Sequence, residues 1–123
     1  MSVGFIYCLE NSCMPGIYKL GKTDRSPTQR CSELSASTST PAPFGIVFYV
    51  EIENALMVER ALHHALDDSR VSANREFFSA DPHVAYEWLR CNADIFTEYL
   101  SGDMIWSQQQ SRSKPLTVIQ EGC

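Results

Sequence analysis

Apolar positions change their spacing along this chain, and each change predicts an element. Ile6 to Leu9 is a β-prone run, Asn11 to Gly16 collects Asn, Ser, Pro and Gly, and Ile17 to Leu20 is β-prone again, which predicts a hairpin with Gly21 ending its second strand. Ser26-Pro27 then pairs a side-chain cap with a residue already fixed at helical φ, so a helix carrying Gln29, Arg30 and Leu34 is expected. Ser35 to Pro43 reads as an exposed connection, and Phe44 to Ile52 as a third, central strand buried on both faces. Asn54 to Asp68 lacks Gly and Pro and places Ala55, Val58, Leu62, Ala65 and Leu66 at helical spacing, so it predicts a helix packed on the sheet. The adjacent Phe77 and Phe78 must split between the two faces of a strand.

Asp81-Pro82 repeats the cap-then-proline start, with Val84, Trp88 and Leu89 as the apolar face. Asp94 to Leu100 reads as a second helical piece, continuous with the first or separated by a break near Asn92. The expected fold class is α/β (α+β): a small three-stranded antiparallel sheet flanked by helices over residues 1–100, followed by a flexible tail over 101–123. Within that tail Thr117-Val118-Ile119 has the composition of an edge strand or a partner contact.

Length and composition leave room for one core, since 123 residues at 44% hydrophobic content is ordinary for a single globular domain. The net charge of −5 argues against coating nucleic acid by bulk electrostatics. The distribution is more informative than the total: Lys19, Lys22, Arg25 and Arg30, four of the ten basic residues, fall within twelve positions, predicting a local basic site on an acidic body. The five cysteines are odd in number and lack C-x-x-C spacing, a poor pattern for zinc or for a disulfide framework. No apolar run reaches membrane-spanning length and no secretory h-region follows Met1, so a cytoplasmic protein with no membrane partner is expected.

One carboxylate stands out. At about 100° per residue, Glu59 projects to the margin of the buried stripe with His63 one turn on, whereas Arg60, His64, Asp67 and Asp68 point to solvent. A charge there needs a cation, either a metal ion or a pairing with Arg30.

Three stretches in order, Met14-Pro15-Gly16-Ile17-Tyr18-Lys19-Leu20-Gly21-Lys22-Thr23, Glu59-Arg60-Ala61-Leu62-His63 and Arg75-Glu76-Phe77-Phe78, together with Gly4-Phe5-Ile6-Tyr7, resemble the GIY-YIG nuclease superfamily, in particular a compact phage and bacterial subgroup. The resemblance implies a metal-dependent endonuclease acting on DNA, with Mg2+ or Mn2+ held by Glu59, Tyr7 as general base or partner of a metal-bound water, and Arg30 on the phosphate. It further places His63 and Lys19 in the catalytic group, and Lys22, Arg25, Tyr18 and Asn74 on the substrate. Those parts match what phosphodiester hydrolysis requires: a water deprotonated, phosphate charge stabilised and a leaving oxygen neutralised.

Lys19 occupies the position of the superfamily's second tyrosine, where its charge is expected to lower the pKa of a neighbouring tyrosine. Strand alternation sends Tyr18 and Lys19 to opposite faces, so only one of them reaches the site. The chain carries no second basic segment, zinc motif or helix-turn-helix pattern, so specificity is expected from a protein partner, a homo-oligomer or DNA structure. The alternatives are a nucleic-acid-binding or protein-interaction module that cuts poorly, and a phage or mobile-element factor that targets a host protein.

Overall fold

A computed structural model of the chain describes residues 2–36, 42–71 and 76–112. The hairpin forms as β1 (Val3–Asn11) and β2 (Tyr18–Thr23), paired antiparallel with Tyr7 opposite Gly21 and Leu9 opposite Lys19. Its turn uses the polar residues expected of it: the Cys13 amide donates to Asn11 Oδ1 at 2.9 Å, and Gly16 takes φ +81°, open to residues without a side chain. Gly21 does not end β2 but lies inside it, because the ladder runs on to Thr23 opposite Phe5.

Helix α1 (Pro27–Ser35) starts at Ser26, whose hydroxyl accepts from the Gln29 amide. Then come β3 (Phe44–Glu53) and α2 (Ala55–Ala65), which is shorter than its apolar stripe because a 3-10 turn, Asp67–Ser69, follows it.

Among the described residues the sheet has five strands, in the order β4-β2-β1-β3-β5, and not three. Strand β4, Phe77–Phe78, is the short strand over which the adjacent aromatics are expected to divide, and it joins the sheet as a fourth strand. Strand β5 (Ile95–Leu100) replaces the expected second helical piece. Its β-branched and aromatic residues pair with β3, and that pairing outweighs the local helical spacing of Ile95, Phe96 and Leu100. Helix α3 (Pro82–Asn92) begins at Asp81 as expected, but buries Ala85, Tyr86 and Leu89 and leaves Val84 exposed. Residues 102–112, expected to belong to a flexible tail, form α4 (Gly102–Arg112) with Met104 buried; Thr117 to Ile119 lie outside the described residues.

Alternation divides the sheet into two faces. Ile6, Cys8, Leu20, Phe48, Val50 and Ile52 face α2 and α3 and form the main core with Leu62, Phe78 and Leu89. Tyr7 and Leu9 face α1 and pack with Cys31, Leu34, Phe44, Ile46 and Tyr49. The adjacent aromatics divide as expected, Phe78 into the main core and Phe77 against Phe44 on the other face. Among the described residues no helix is long and apolar enough to cross a membrane.

Tyr86 ties α3 to β5: its hydroxyl donates to both oxygens of Glu98, at 2.8 and 3.0 Å. Burial, then the hydrogen bond to Glu98, pushes its pKa from 10.0 up to about 12. The folded state therefore keeps a proton that the unfolded chain loses, and this stabilisation is complete below pH 10 and lost as the pH rises to about 12. Thermal unfolding across that range is expected to show a steeper loss of stability in the wild type than in Tyr86→Phe; parallel curves would refute the coupling.

Candidate active site at the open edge of β2

Strand β4 begins only at Phe77, opposite Lys19, so among the described residues the outer edge of β2 beyond Lys19 is met by side chains and one loop carbonyl. The Leu20 amide donates to the Glu76 carbonyl at 2.9 Å. One turn apart on α2, His63 and Glu59 take the next two groups: His63 Nε2 donates to the Leu20 carbonyl at 2.8 Å, and the Lys22 amide hydrogen-bonds the Glu59 carboxylate. A carbonyl can only accept, so Nε2 carries the proton in that bond and Nδ1 is the ring nitrogen not used by the sheet. The His63 ring also packs on Phe78, with centroids 4.9 Å apart. Glu59 thus stands half-buried at the edge of the sheet, as its helical position predicts.

On the α1 face of the same edge, the Tyr7 side chain crosses to the neighbouring strand over Gly21. A Cβ on Gly21 would lie 2.5 Å from Tyr7 Oη, 2.7 Å from its Cζ and 3.1 Å from Glu76 Oε1. Only a residue with no side chain leaves room there for both the phenol and the Glu76 carboxylate. Arg30, from the first turn of α1, makes a hydrogen-bonding contact with the Tyr7 hydroxyl. Tyr7 is 2% exposed, and burial pushes its pKa up; the Arg30 contact opposes this, while the charges of Glu76 and Glu59 add to it. The cation that favours the Tyr7 phenolate is therefore Arg30, whereas Lys19 is committed elsewhere. Lys19 Nζ is 2.8 Å from Glu76 Oε1 and 5.2 Å from the centroid of the Phe77 ring.

Glu59 is likewise raised from its ordinary value, first by burial and then by Glu76, against the opposing effects of His63, Lys22 and the Lys22 amide. Tyr7 and Glu76 approach Gly21 itself, Arg30 and Lys19 attach to them, and Glu59 and His63 hold the flanking Lys22 and Leu20 backbone. These six side chains therefore come to one edge from four separate elements and one loop. The remaining basic residues sit around this group and face acids of their own. Lys22 Nζ meets Asp24 at 2.9 Å; Arg25 holds Glu33 through two hydrogen bonds of 2.9 and 2.8 Å, and Arg30 reaches the same Glu33 at 3.5 Å. The basic cluster of the sequence is therefore largely paired. Tyr18 is on the opposite face, lining an open cleft of about 440 Å³ with Val47, Asp81 and Met104, and does not meet Tyr7. Asn74 lies outside the described residues.

Two participants escaped the sequence reading. Glu76 was visible in Arg75-Glu76-Phe77-Phe78, but nothing local assigned it a contact with Lys19, 57 positions away. Gly21 read as a strand end, and its lack of a side chain gains meaning only from the opposing tyrosine. The Lys19–Glu76 pair is mostly enclosed on the lysine side and open on the glutamate side, with side-chain exposures of 13% and 43%. Because solvent screens such a pair, Lys19→Met is expected to lower stability by only about 1 kcal/mol in urea unfolding. A loss several times larger would show that the pair is far better shielded than its exposure implies.

A phenol, two carboxylates and a guanidinium thus gather at one sheet edge of a small α+β domain. Residues 4–93 match the family described as the T5orf172 domain, and the chain belongs to that family. This corrects the resemblance drawn from the short motifs: the matching family is distinct from GIY-YIG, although its fold is nuclease-related. A hairpin with Tyr and Gly followed by a capped helix describes a local structure, and local structure of this kind does not separate families that share it. The T5orf172 domain is phage-associated and often linked to nucleic-acid binding or nuclease activity. No curated protein and no solved structure matches the chain.

Proposed function

We propose that this chain is a metal-dependent endonuclease that hydrolyses DNA phosphodiester bonds at the edge of β2. The observation that carries the reading is the approach of both Tyr7 Oη and Glu76 Oε1 to Gly21, 2.5 and 3.1 Å from where a Cβ would stand, with Arg30 beside the phenol and Glu59 near enough for its charge to act on it. Arg30 is the group to bind phosphate, since it shares Glu33 with Arg25 and its contact at 3.5 Å is the longer one. An exposed pair of this kind is worth little, so a phosphate oxygen can replace Glu33.

Among the described residues no group of three or more His, Cys, Asp and Glu is arranged to hold a metal. The donors present fit a magnesium or manganese ion bound in its usual way, by one or two carboxylates with waters completing the shell. Glu59 would hold it, and the burial that raises this carboxylate is a cost that a divalent cation relieves. Bound there, the ion supplies charge neutralisation at the phosphate and leaving oxygen and lowers the proton affinity of nearby acids. Once it has lost its own proton to solvent, the Tyr7 phenolate would accept the proton of the attacking water, with Arg30 stabilising its charge. His63 holds β2 in place through Nε2 and presents Nδ1.

Cleavage of supercoiled plasmid and of single-stranded DNA with Mg2+ or Mn2+ tests this reading. Wild type is expected to cut, with a rate that rises from neutral into alkaline pH as the phenol ionises, and Tyr7→Phe is expected to lose roughly a hundred-fold or more. DNA binding without cutting under either metal would instead make the chain a binding module.

A further inference from the structure

The row of residues paired across the sheet at Tyr7 does not stop at the candidate site. Gly21 faces Tyr7, Tyr7 faces Tyr49, and Tyr49 faces Tyr99, so the phenol over the β2 edge and two further tyrosines share one face of the sheet. Tyr49 and Tyr99 stack with centroids 5.5 Å apart and planes 25° from parallel, and Phe5 packs edge-on against Tyr49 at 5.8 Å and 82°. Cover thins along the row: Tyr7 is enclosed beside α1, Tyr49 and Phe5 are half-buried, and Tyr99 is 43% exposed. Two strand spacings, roughly 10 Å, separate Tyr99 from Tyr7 along the sheet.

We propose that Tyr99, Tyr49 and Phe5 form a stacking platform for the unpaired bases of single-stranded DNA, leading the strand to the site at Tyr7 and Arg30. The proposal rests on the reading of that site as a DNA site and names the form of DNA it takes. Continuity decides the occupant, because the platform and the phosphate-binding end belong to one cross-strand row. Charge decides between one strand and two. The four basic residues lie at the β2 end of the row, each paired with a carboxylate. At the other end Glu51, opposite Phe5 on the same face, accepts from the Thr97 hydroxyl at 3.0 Å.

A duplex would bring a second phosphate backbone over the Glu51 carboxylate, on a chain of net charge −5. A single strand can keep its phosphates toward Arg30 and lay its bases on the rings. Stacking of this kind contributes about 1–3 kcal/mol per base, is tolerant of sequence, and needs no dense positive surface. Aromatic side chains on an open sheet face are an established way to hold unpaired bases.

The test measures fluorescence anisotropy of a labelled single-stranded oligothymidylate against the full chain in EDTA, so that binding is read without cutting, with a duplex of the same length in parallel. Tyr99 is exposed, so Tyr99→Ala is expected to fold normally by thermal unfolding, yet to weaken single-strand binding roughly ten-fold, the loss of one stacked base. Tyr99→Phe keeps the ring and is expected to bind as wild type, and the duplex is expected to bind more weakly than the single strand. Equal affinity of Tyr99→Ala and wild type, preference for the duplex, absence of any single-strand binding, or a change confined to self-association would each overturn the platform. Plasmid cleavage separates the two readings. Cutting by wild type with a single-strand affinity indifferent to Tyr99 sinks the platform alone, while Tyr99-dependent binding without any cutting sinks the enzyme alone.

Discussion

Glu59→Gln is expected to reduce Mg2+-dependent cleavage on the order of a thousand-fold while leaving the protein at least as stable as wild type, the combination that marks a functional carboxylate. The rate estimate follows from removing a group that organises charge stabilisation in a partly dry site, where a single such contact is worth roughly a hundred- to a thousand-fold. The stability expectation follows from the direction of the pKa shift. The Glu59 carboxyl is raised above its ordinary value of 4.5 by burial and by Glu76, so the folded state prefers it protonated.

Its contribution is therefore favourable only at acidic pH and becomes a cost as the pH rises through the folded pKa. Glutamine keeps the shape and can still accept from the Lys22 amide, but it lacks the charge that burial penalises. At neutral pH the variant should melt at or above the wild-type temperature, and this advantage should vanish on acidification. Added Mg2+ should raise the melting temperature of wild type and not of the variant, because only a ligand bound to the folded state shifts it. Undiminished cleavage by Glu59→Gln, or an equal response of both proteins to Mg2+, would remove Glu59 from the metal site.

Gly21→Ala should damage stability and cleavage together. The added methyl would stand 2.5 Å from Tyr7 Oη and 2.7 Å from Cζ, both far inside van der Waals contact. The atoms that must yield belong to the end of a side chain, but that side chain is buried among Leu9, Cys31 and their neighbours and has little room to swing. Overpacking of this kind costs about 1–3 kcal/mol. Displacing the phenol from Arg30 and Glu76 by even about 1 Å should slow cleavage roughly a hundred-fold.

Combining Gly21→Ala with Tyr7→Phe separates these effects. Phenylalanine lacks the hydroxyl that makes the closest contact, so the double variant should regain part of the lost stability without regaining activity, a clear departure from additivity. A Gly21→Ala protein as stable and active as wild type would mean that the phenol need not lie over β2.

Much of this was legible in the order of residues. Ser26-Pro27 and Asp81-Pro82 announced α1 and α3 because capping and a fixed φ are local effects, and both helices begin there. Alternation alone separated Tyr18 from Lys19, and helical period alone placed Glu59 and His63 at the margin of a buried stripe, beside solvent-facing Arg60 and His64. Short motifs were less discriminating. They pointed to GIY-YIG, whereas the match over residues 4–93 is to the T5orf172 domain. Strand β5 was misread because six residues are too few for periodicity to choose between helix and strand, and the choice falls to pairing with β3.

The amino-acid order by itself determined the hairpin, the starts of two helices, the opposite faces of Tyr18 and Lys19 and the place of Glu59 at the margin of its helix stripe, since these follow from short-range dihedral preferences and period. Tertiary structure decided the rest. Strand register set Tyr7 over Gly21 and continued the row through Tyr49 to Tyr99, and among the described residues Glu59 and His63 meet the β2 edge beyond the start of β4 at Phe77. The loop before β4 brought Glu76 to Lys19 across 57 positions. Register and chain return depend on the packing of the whole core, and no local pattern encodes them, because a shift of one residue would send every side chain of a strand to its other face.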